Sequence, residues 1–331
     1  MVGNRSDGYI VSVVWIIFVF CHPALITCTA GENGMCLANT NYTHIQCISS
    51  QCNGTNLINC VQSCSENVCT NLTCDHTTKK CEQFCNGCKI MNCTSLVCHQ
   101  QCTEGFCEKM ICGKSLQCKQ QCTYCRNQYC YDSRVCQQIC PKTTSNCLLN
   151  CFQSEKCLQN CNGKLCQADC RSKQNCVQIC NSRGSCEKLV CKSKVCRQKC
   201  DKNSNCRLLR CHGDKCKQES HEGNVTMECL SNDTCYQHCY ASGCRMSCAG
   251  NVKRCHQYCY GGGCNMTCPF KVTNCHSKCP GGNCSTDSMV HITSKPLERD
   301  NREKCKNSST FSQYSTLYLI VVYILFCSFQ C

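Results

Sequence analysis

Residues 157–200 read CLQNCNGKLCQADCRSKQNCVQICNSRGSCEKLVCKSKVCRQKC, and the segment C-x-Q-x-C opens at Cys157, Cys176 and Cys196. Working outward, the same segment stands at Cys60, Cys81, Cys98, Cys118 and Cys136 before this stretch, and at Cys235 and Cys255 after it. Cys216-Lys217-Gln218 is a partial copy, and Cys275–Cys279 has serine in place of the glutamine. Successive starts are about 20 residues apart, a period typical of stacked supersecondary repeats. Each full unit carries a second cysteine pair, with Leu or Met two residues before the last cysteine: Leu72, Met91, Met110, Leu149, Leu189, Leu209, Met227, Met246 and Met266. Gln128 and Ala168 are the exceptions.

Side chains at i, i+2 and i+4 share one face of a strand, so C-x-Q-x-C presents Cys, Gln and Cys together. A helix would spread the unit's four cysteines to about 0°, 40°, 180° and 320°. Short strands are therefore expected, in an all-β, disulfide-laddered repeat protein. The expected form is a thin β-solenoid of about twelve coils at ~4.8 Å spacing. Disulfide-tied β-hairpins, stacked, are the alternative, favoured by the tight Cys85-Asn86-Gly87-Cys88 turn. Repeated glutamine favours the solenoid, because inward Gln side chains can hydrogen-bond up a column, whereas isolated ones would each cost ~1–3 kcal/mol.

Composition agrees. Of 331 residues 53 are cysteine, and without them only about a quarter of the chain is apolar. Cross-links must replace much of an apolar core, which points to an oxidising, extracellular setting and excludes Rossmann, TIM-barrel and helical-bundle folds. The disulfide-bridged coil plan resembles the small solenoid antifreeze proteins, but the paired threonine columns of an ice-binding face are missing.

The irregular unit at Cys216 has Ser220 at the second cysteine position and lacks the third, while keeping Cys229. Joint loss of the middle two suggests nested bridges. The expected pairs are second to third (Cys64–Cys69, Cys102–Cys107, Cys161–Cys166) and first to fourth (Cys60–Cys74, Cys98–Cys112, Cys157–Cys170, Cys216–Cys229).

Residues 1–30 read as a signal peptide, with the apolar run Tyr9 to Phe20 and a small-residue stretch ending at Ala30. Residues 31–59 form an N-terminal cap region, 60–284 the repeats, and 285–307 a polar juxtamembrane linker. Residues 308–331 have the layout of a GPI-attachment signal, with Asn307 and Ser308 as the attachment site; a short membrane anchor is the rival. Sequons stand at Asn41, Asn53, Asn71, Asn92, Asn224, Asn232, Asn265 and Asn283, with one more at Asn307.

No catalytic motif, metal set or cofactor motif is found. The C-x-x-C pairs Cys85–Cys88 and Cys122–Cys125 read as shortened turns rather than redox centres. The net charge is +14, and residues 93–221 carry 21 Lys/Arg against 9 Asp/Glu with no sequon among them after Asn92. A basic band of Arg183, Lys188, Lys192, Lys194, Arg197, Lys199, Lys202, Arg207, Arg210, Lys215 and Lys217 is the candidate site for polyanions such as sulfated glycans. The plain alternative is that these charges keep an exposed surface soluble. The expected function is a non-catalytic, cell-surface-anchored structural or adhesive protein, without nucleic-acid binding; a secreted binding or cationic defence protein is the second reading.

Overall fold

The computed structural model describes residues 59–64, 71–103, 105–141, 146–181, 184–269 and 272–286, together with the backbone of four short strands before them. Among these residues all regular structure is β, and the strands stack in parallel as a solenoid of about 11 turns. Every coil contributes two strands to two separate stacks. The first stack holds the C-x-Q-x-C segments, from Asn59–Cys64 through Lys156–Cys161 and Asn175–Cys180 to Asn274–Lys278. The second holds the Leu/Met segments, from Asn71–Cys74 through Cys166–Arg171 to Ser285–Thr286. Two long strands, Asn205–Ser220 and Thr226–Cys239, run through a corner and serve both stacks. Pairing is always between successive coils, so stacked hairpins are ruled out.

The register is the sequence period made physical. Cys157, Leu158 and Gln159 pair with Cys176, Val177 and Gln178, and these pair with Cys196, Arg197 and Gln198. Cysteine thus lies over cysteine and glutamine over glutamine. The burial alternation eBiBiB along Lys156–Cys161 shows the Cys-Gln-Cys face pointing inward.

Inside, glutamine forms one continuous ladder. Gln83 Nε2 donates to Gln62 Oε1 at 2.7 Å, and each following amide repeats this through Gln178 on Gln159 (2.8 Å) and Gln198 on Gln178 (2.8 Å) to Gln257 on Gln237 (2.9 Å). Ser277 Oγ caps the series on Gln257 Oε1 at 3.0 Å. The other amide hydrogen reaches across to the second stack, as from Gln178 to the Val190 carbonyl at 2.9 Å. Every ladder glutamine is at most 1% exposed, yet both ends of its amide are engaged. Beside the ladder runs the Leu/Met column, Leu72 to Met266, all buried. Gln128 stands in that column over Met110 and under Leu149. Its Nε2 donates to the Ile139 carbonyl at 3.1 Å, while its Oε1 is buried without a partner.

The disulfides sit at the two corners of each coil. At the first corner the second cysteine bonds the third: Cys102–Cys107, Cys161–Cys166, Cys239–Cys244. Cys69 of the expected pair Cys64–Cys69 lies outside the described residues. At the equivalent corner of its own coil, Cys147 shares a hydrogen bond with Cys140, both as buried thiols, and burial pushes the Cys147 thiol well up.

The second corner corrects the first-to-fourth expectation for Cys60–Cys74, Cys98–Cys112, Cys157–Cys170 and Cys216–Cys229. The fourth cysteine bonds the first of the next coil: Cys74–Cys81, Cys93–Cys98, Cys112–Cys118, Cys151–Cys157, Cys170–Cys176, Cys211–Cys216 and Cys229–Cys235. The reason is geometric. A chain wound on a pitch brings each first cysteine about half a rise from two fourth cysteines, one on either side. The bond closes the short turn between consecutive strands, so the first and fourth cysteines of one coil lie close together while each is bonded elsewhere. Cys74 Sγ is still only 3.8 Å from Cys60 Sγ.

The apolar run Tyr9 to Phe20, the segment at Asn307 and Ser308, and the sequons Asn41 and Asn53 lie outside the described residues. Ile26–Cys28, inside the segment expected to be removed, pairs in parallel with Ile45–Cys47; cleavage would have to precede Ile26 for that strand to be kept.

Candidate polyanion-binding groove

Because the interior is filled with sulfur, amide and apolar side chains, chemistry is confined to outward positions repeated once per coil. The basic residues singled out above do not form one stripe. Arg197 lies over Lys217 on the outer face of the first stack, with Lys199 and Lys215 nearby. Lys188 and Arg210 are on the outer face of the second stack, and Arg207 is close by. Lys202 sits at the first corner, and Arg183 is outside the described residues. Several are already paired: Lys199 with Asp201 (2.7 Å), Lys217 with Glu219 (2.6 Å) and Arg210 with Glu228 (2.6 Å).

Lys192 and Lys194 belong elsewhere. They line a groove of about 460 Å³ at the second corner, together with Arg171, His212, Asp214 and Asn232. Arg171 follows Cys170, Lys192 follows Cys191 and His212 follows Cys211, and these three cysteines are in register. One basic or titratable side chain therefore projects from each of three successive coils, about 4.8 Å apart. All three side chains are exposed. The floor is built by corner serines, with Ser172 Oγ donating to Ser193 Oγ at 2.9 Å, both buried. Gly213 shapes the wall: a Cβ there would stand 2.0 Å from the Ser193 carbonyl oxygen, so only glycine lets the coils close at this corner.

The field in the groove is positive. Arg171, Lys192 and Lys194 outnumber Asp214, although Arg171 also holds Asp169 at 2.9 Å. Burial first, then the charges of Lys192 and Arg210, lower the His212 pKa below the usual imidazole value. Arg171 and His212 were not among the sequence candidates. The legible signal for them was position, the residue just after the fourth cysteine, not charge density.

A second surface feature is a set of stacked rings, at the first corner (His221, Tyr240, Tyr260) and on the outer face of the first stack (Tyr236, His256). His221 stacks on Tyr240 (4.4 Å, 7°), Tyr240 on Tyr260 (5.0 Å, 5°) and Tyr236 on His256 (4.9 Å, 9°). Stacked rings cover one another's faces and turn their edges outward, so they fasten adjacent coils rather than offering a flat platform for a sugar. Burial is the first cause of the lowered pKa of His238 and of His256.

Cys102, Cys107, Cys122 and Cys125 lie within 4.8 Å of one another, a spacing suited to a tetrathiolate metal site. They are bonded as Cys102–Cys107 and Cys122–Cys125, which leaves no thiolate to offer. Cys85–Cys88 is likewise a buried disulfide.

The described sequons avoid the first-stack strands but occur at both corners, and Asn232 lines the groove itself. Asn71, Asn92 and Asn265 are on second-stack strands, and Asn224, Asn232 and Asn283 are at corners; none is on a first-stack strand. Comparison with protein-family models, curated proteins and solved structures gives no match.

Proposed function

We propose that this protein is a non-catalytic extracellular surface element that binds sulfated glycans or chemically similar polyanions through the corner groove of Arg171, Lys192, Lys194 and His212. The observation that carries this reading is the stacking of Arg171, Lys192 and His212 on consecutive coils at constant rise. A linear polyanion laid along that corner meets a cation at Arg171 and at Lys192 and a titratable ring at His212, where scattered surface charges would give no such alignment. The dense disulfides are consistent with an extracellular location. A lipid anchor joined near Asn307 and Ser308 is part of the proposal, as is glycosylation at the sequons other than Asn232, where a glycan would fill the groove.

Heparin chromatography of the full glycoprotein tests the groove. Wild-type protein is expected to elute above physiological salt, and the variant Arg171→Gln/Lys192→Gln/Lys194→Gln well below it. The same number of changes at Arg197, Lys215 and Lys217 is expected to matter less. At a few tenths to 1 kcal/mol per exposed cation, the groove variant loses on the order of tenfold in affinity. Wild-type elution below physiological salt overturns the reading. Release from cells by a phosphatidylinositol-specific phospholipase tests the anchor; retention would favour a short apolar tail.

A further inference from the structure

We propose that the sulfur column at the second corner is a path for thiol–disulfide exchange, opened at Cys275 by a small-molecule thiol. The first and fourth cysteines of successive coils, Cys60 to Cys268, form a single buried cluster with Cys275 packed against it. Within it, several bonded pairs lie close to a cysteine of the adjoining bridge. Cys118 lies within 4.8 Å of both members of the Cys130–Cys136 bridge, and Cys136 within 4.8 Å of both Cys151 and Cys157. At the N-terminal end, Cys74 bonds Cys81 while its Sγ is 3.8 Å from Cys60. The column therefore supports two pairings of similar geometry: fourth to next first, as found, and first to fourth within a coil.

Exchange converts one into the other. An external thiolate attacks Cys275 Sγ, forming a mixed disulfide and expelling Cys268 as thiolate. Cys268 attacks Cys255, which expels Cys248; Cys248 attacks Cys235, which expels Cys229. At each step one S–S bond forms and one breaks, with no net oxidation. The sum is one thiol consumed at the end and one protein thiol released deeper in the column. Cys275 is the place for attack because it is half-buried, whereas Cys268 and the cysteines before it are at most 5% exposed. Burial keeps the thiols protonated and slows each step, while held proximity offsets part of that loss, which places migration in minutes to hours at alkaline pH.

The first corner supplies an internal control. Its column ends at Cys279–Cys284, with Cys284 also half-buried, but it is broken at Ser220, which stands in register between Cys200 and Cys239. An oxygen cannot take part in the exchange, so a thiol started at Cys284 must stop at Cys239–Cys244.

The experiment is disulfide mapping of the full glycoprotein at pH 8, with maleimide labelling of thiols over time. In Cys275→Ser, the bridges Cys255–Cys268 and Cys235–Cys248 are expected to appear, with label spread over Cys268, Cys248 and Cys229. In Cys284→Ser, bridges shifted relative to the wild type are expected only among Cys239 to Cys279, since the thiols at Cys140 and Cys147 are common to every variant. Wild-type protein given one equivalent of cysteamine provides a measurement independent of variant folding: an adduct on Cys275 followed by the same shifted bridges. Label confined to Cys268 beyond the wild-type pattern, an adduct without shifted bridges, or label that crosses Ser220 in Cys284→Ser and is absent from the wild type would each overturn the proposal.

Discussion

The glutamine ladder invites a perturbation whose outcome depends on connectivity more than on any single bond. Gln178 donates to Gln159 Oε1 at 2.8 Å and accepts from Gln198 Nε2 at 2.8 Å. Replacing it by methionine, similar in length and apolar, orphans two buried ladder groups, the Gln159 oxygen and one N–H of Gln198, and takes the Gln178 donor away from the Ala168 and Val190 carbonyls. Each unmet buried group costs about 1–3 kcal/mol, so Gln178→Met should destabilise by about 2–6 kcal/mol. Changing Gln198 as well does not double the loss. The double variant orphans the Gln159 oxygen and one N–H of Gln218, which otherwise bonds Gln198 at 2.9 Å, so the number of unmet ladder groups stays at two. The ladder part of the loss is therefore shared, and the pair should cost clearly less than the sum of the two single changes, the excess over one change coming from the Leu189 and Arg210 carbonyls that Gln198 also serves. Guanidinium unfolding with the disulfides intact measures all three variants, and amide exchange shows whether the loss is local to those coils, as nearest-neighbour energetics requires. Simple additivity, or a single-variant cost below about 0.5 kcal/mol, would show that the ladder is a passive alignment rather than a cooperative element.

Gln128→Met should raise stability by about 1–3 kcal/mol, because it continues the column between Met110 and Leu149 and removes a buried oxygen without a partner; an unchanged unfolding midpoint would mean that the oxygen is already compensated. Heparin affinity should rise as pH falls from 7.4 toward 5. Burial, Lys192 and Arg210 keep His212 neutral in the free protein, whereas a bound polyanion beside Arg171, Lys192 and Lys194 favours its protonated form. Binding therefore takes up a proton and tightens where the ring begins to charge, below its ordinary value. The salt needed for elution at the two pH values measures this, and His212→Asn should remove most of the difference.

The period, the strands, the inward Cys-Gln-Cys face and the glutamine column were all legible in residues 157–200, because each follows from which residues share a face at a fixed repeat. What the repeat could not supply was phase. A first cysteine such as Cys216 lies between two fourth cysteines, Cys211 and Cys229, and a period of about 20 residues is satisfied by bonding to either. The joint absence of two cysteines around Ser220 located the first-corner pairs but carried no information on the direction of the second-corner bond, which depends on how the short turn between strands closes. The groove was hidden for a related reason. Charge density along the chain sums residues from both outer faces and both corners, so Arg197 and Lys192 counted alike although they point to different sides. Sorting charges by their offset from the fourth cysteine brings Arg171, Lys192 and His212 together, while sorting by local density discards His212 and dilutes Arg171. In a solenoid, then, the informative coordinate for a binding site is position within the repeat, and a cluster in sequence becomes a surface only when its members share that position on neighbouring coils.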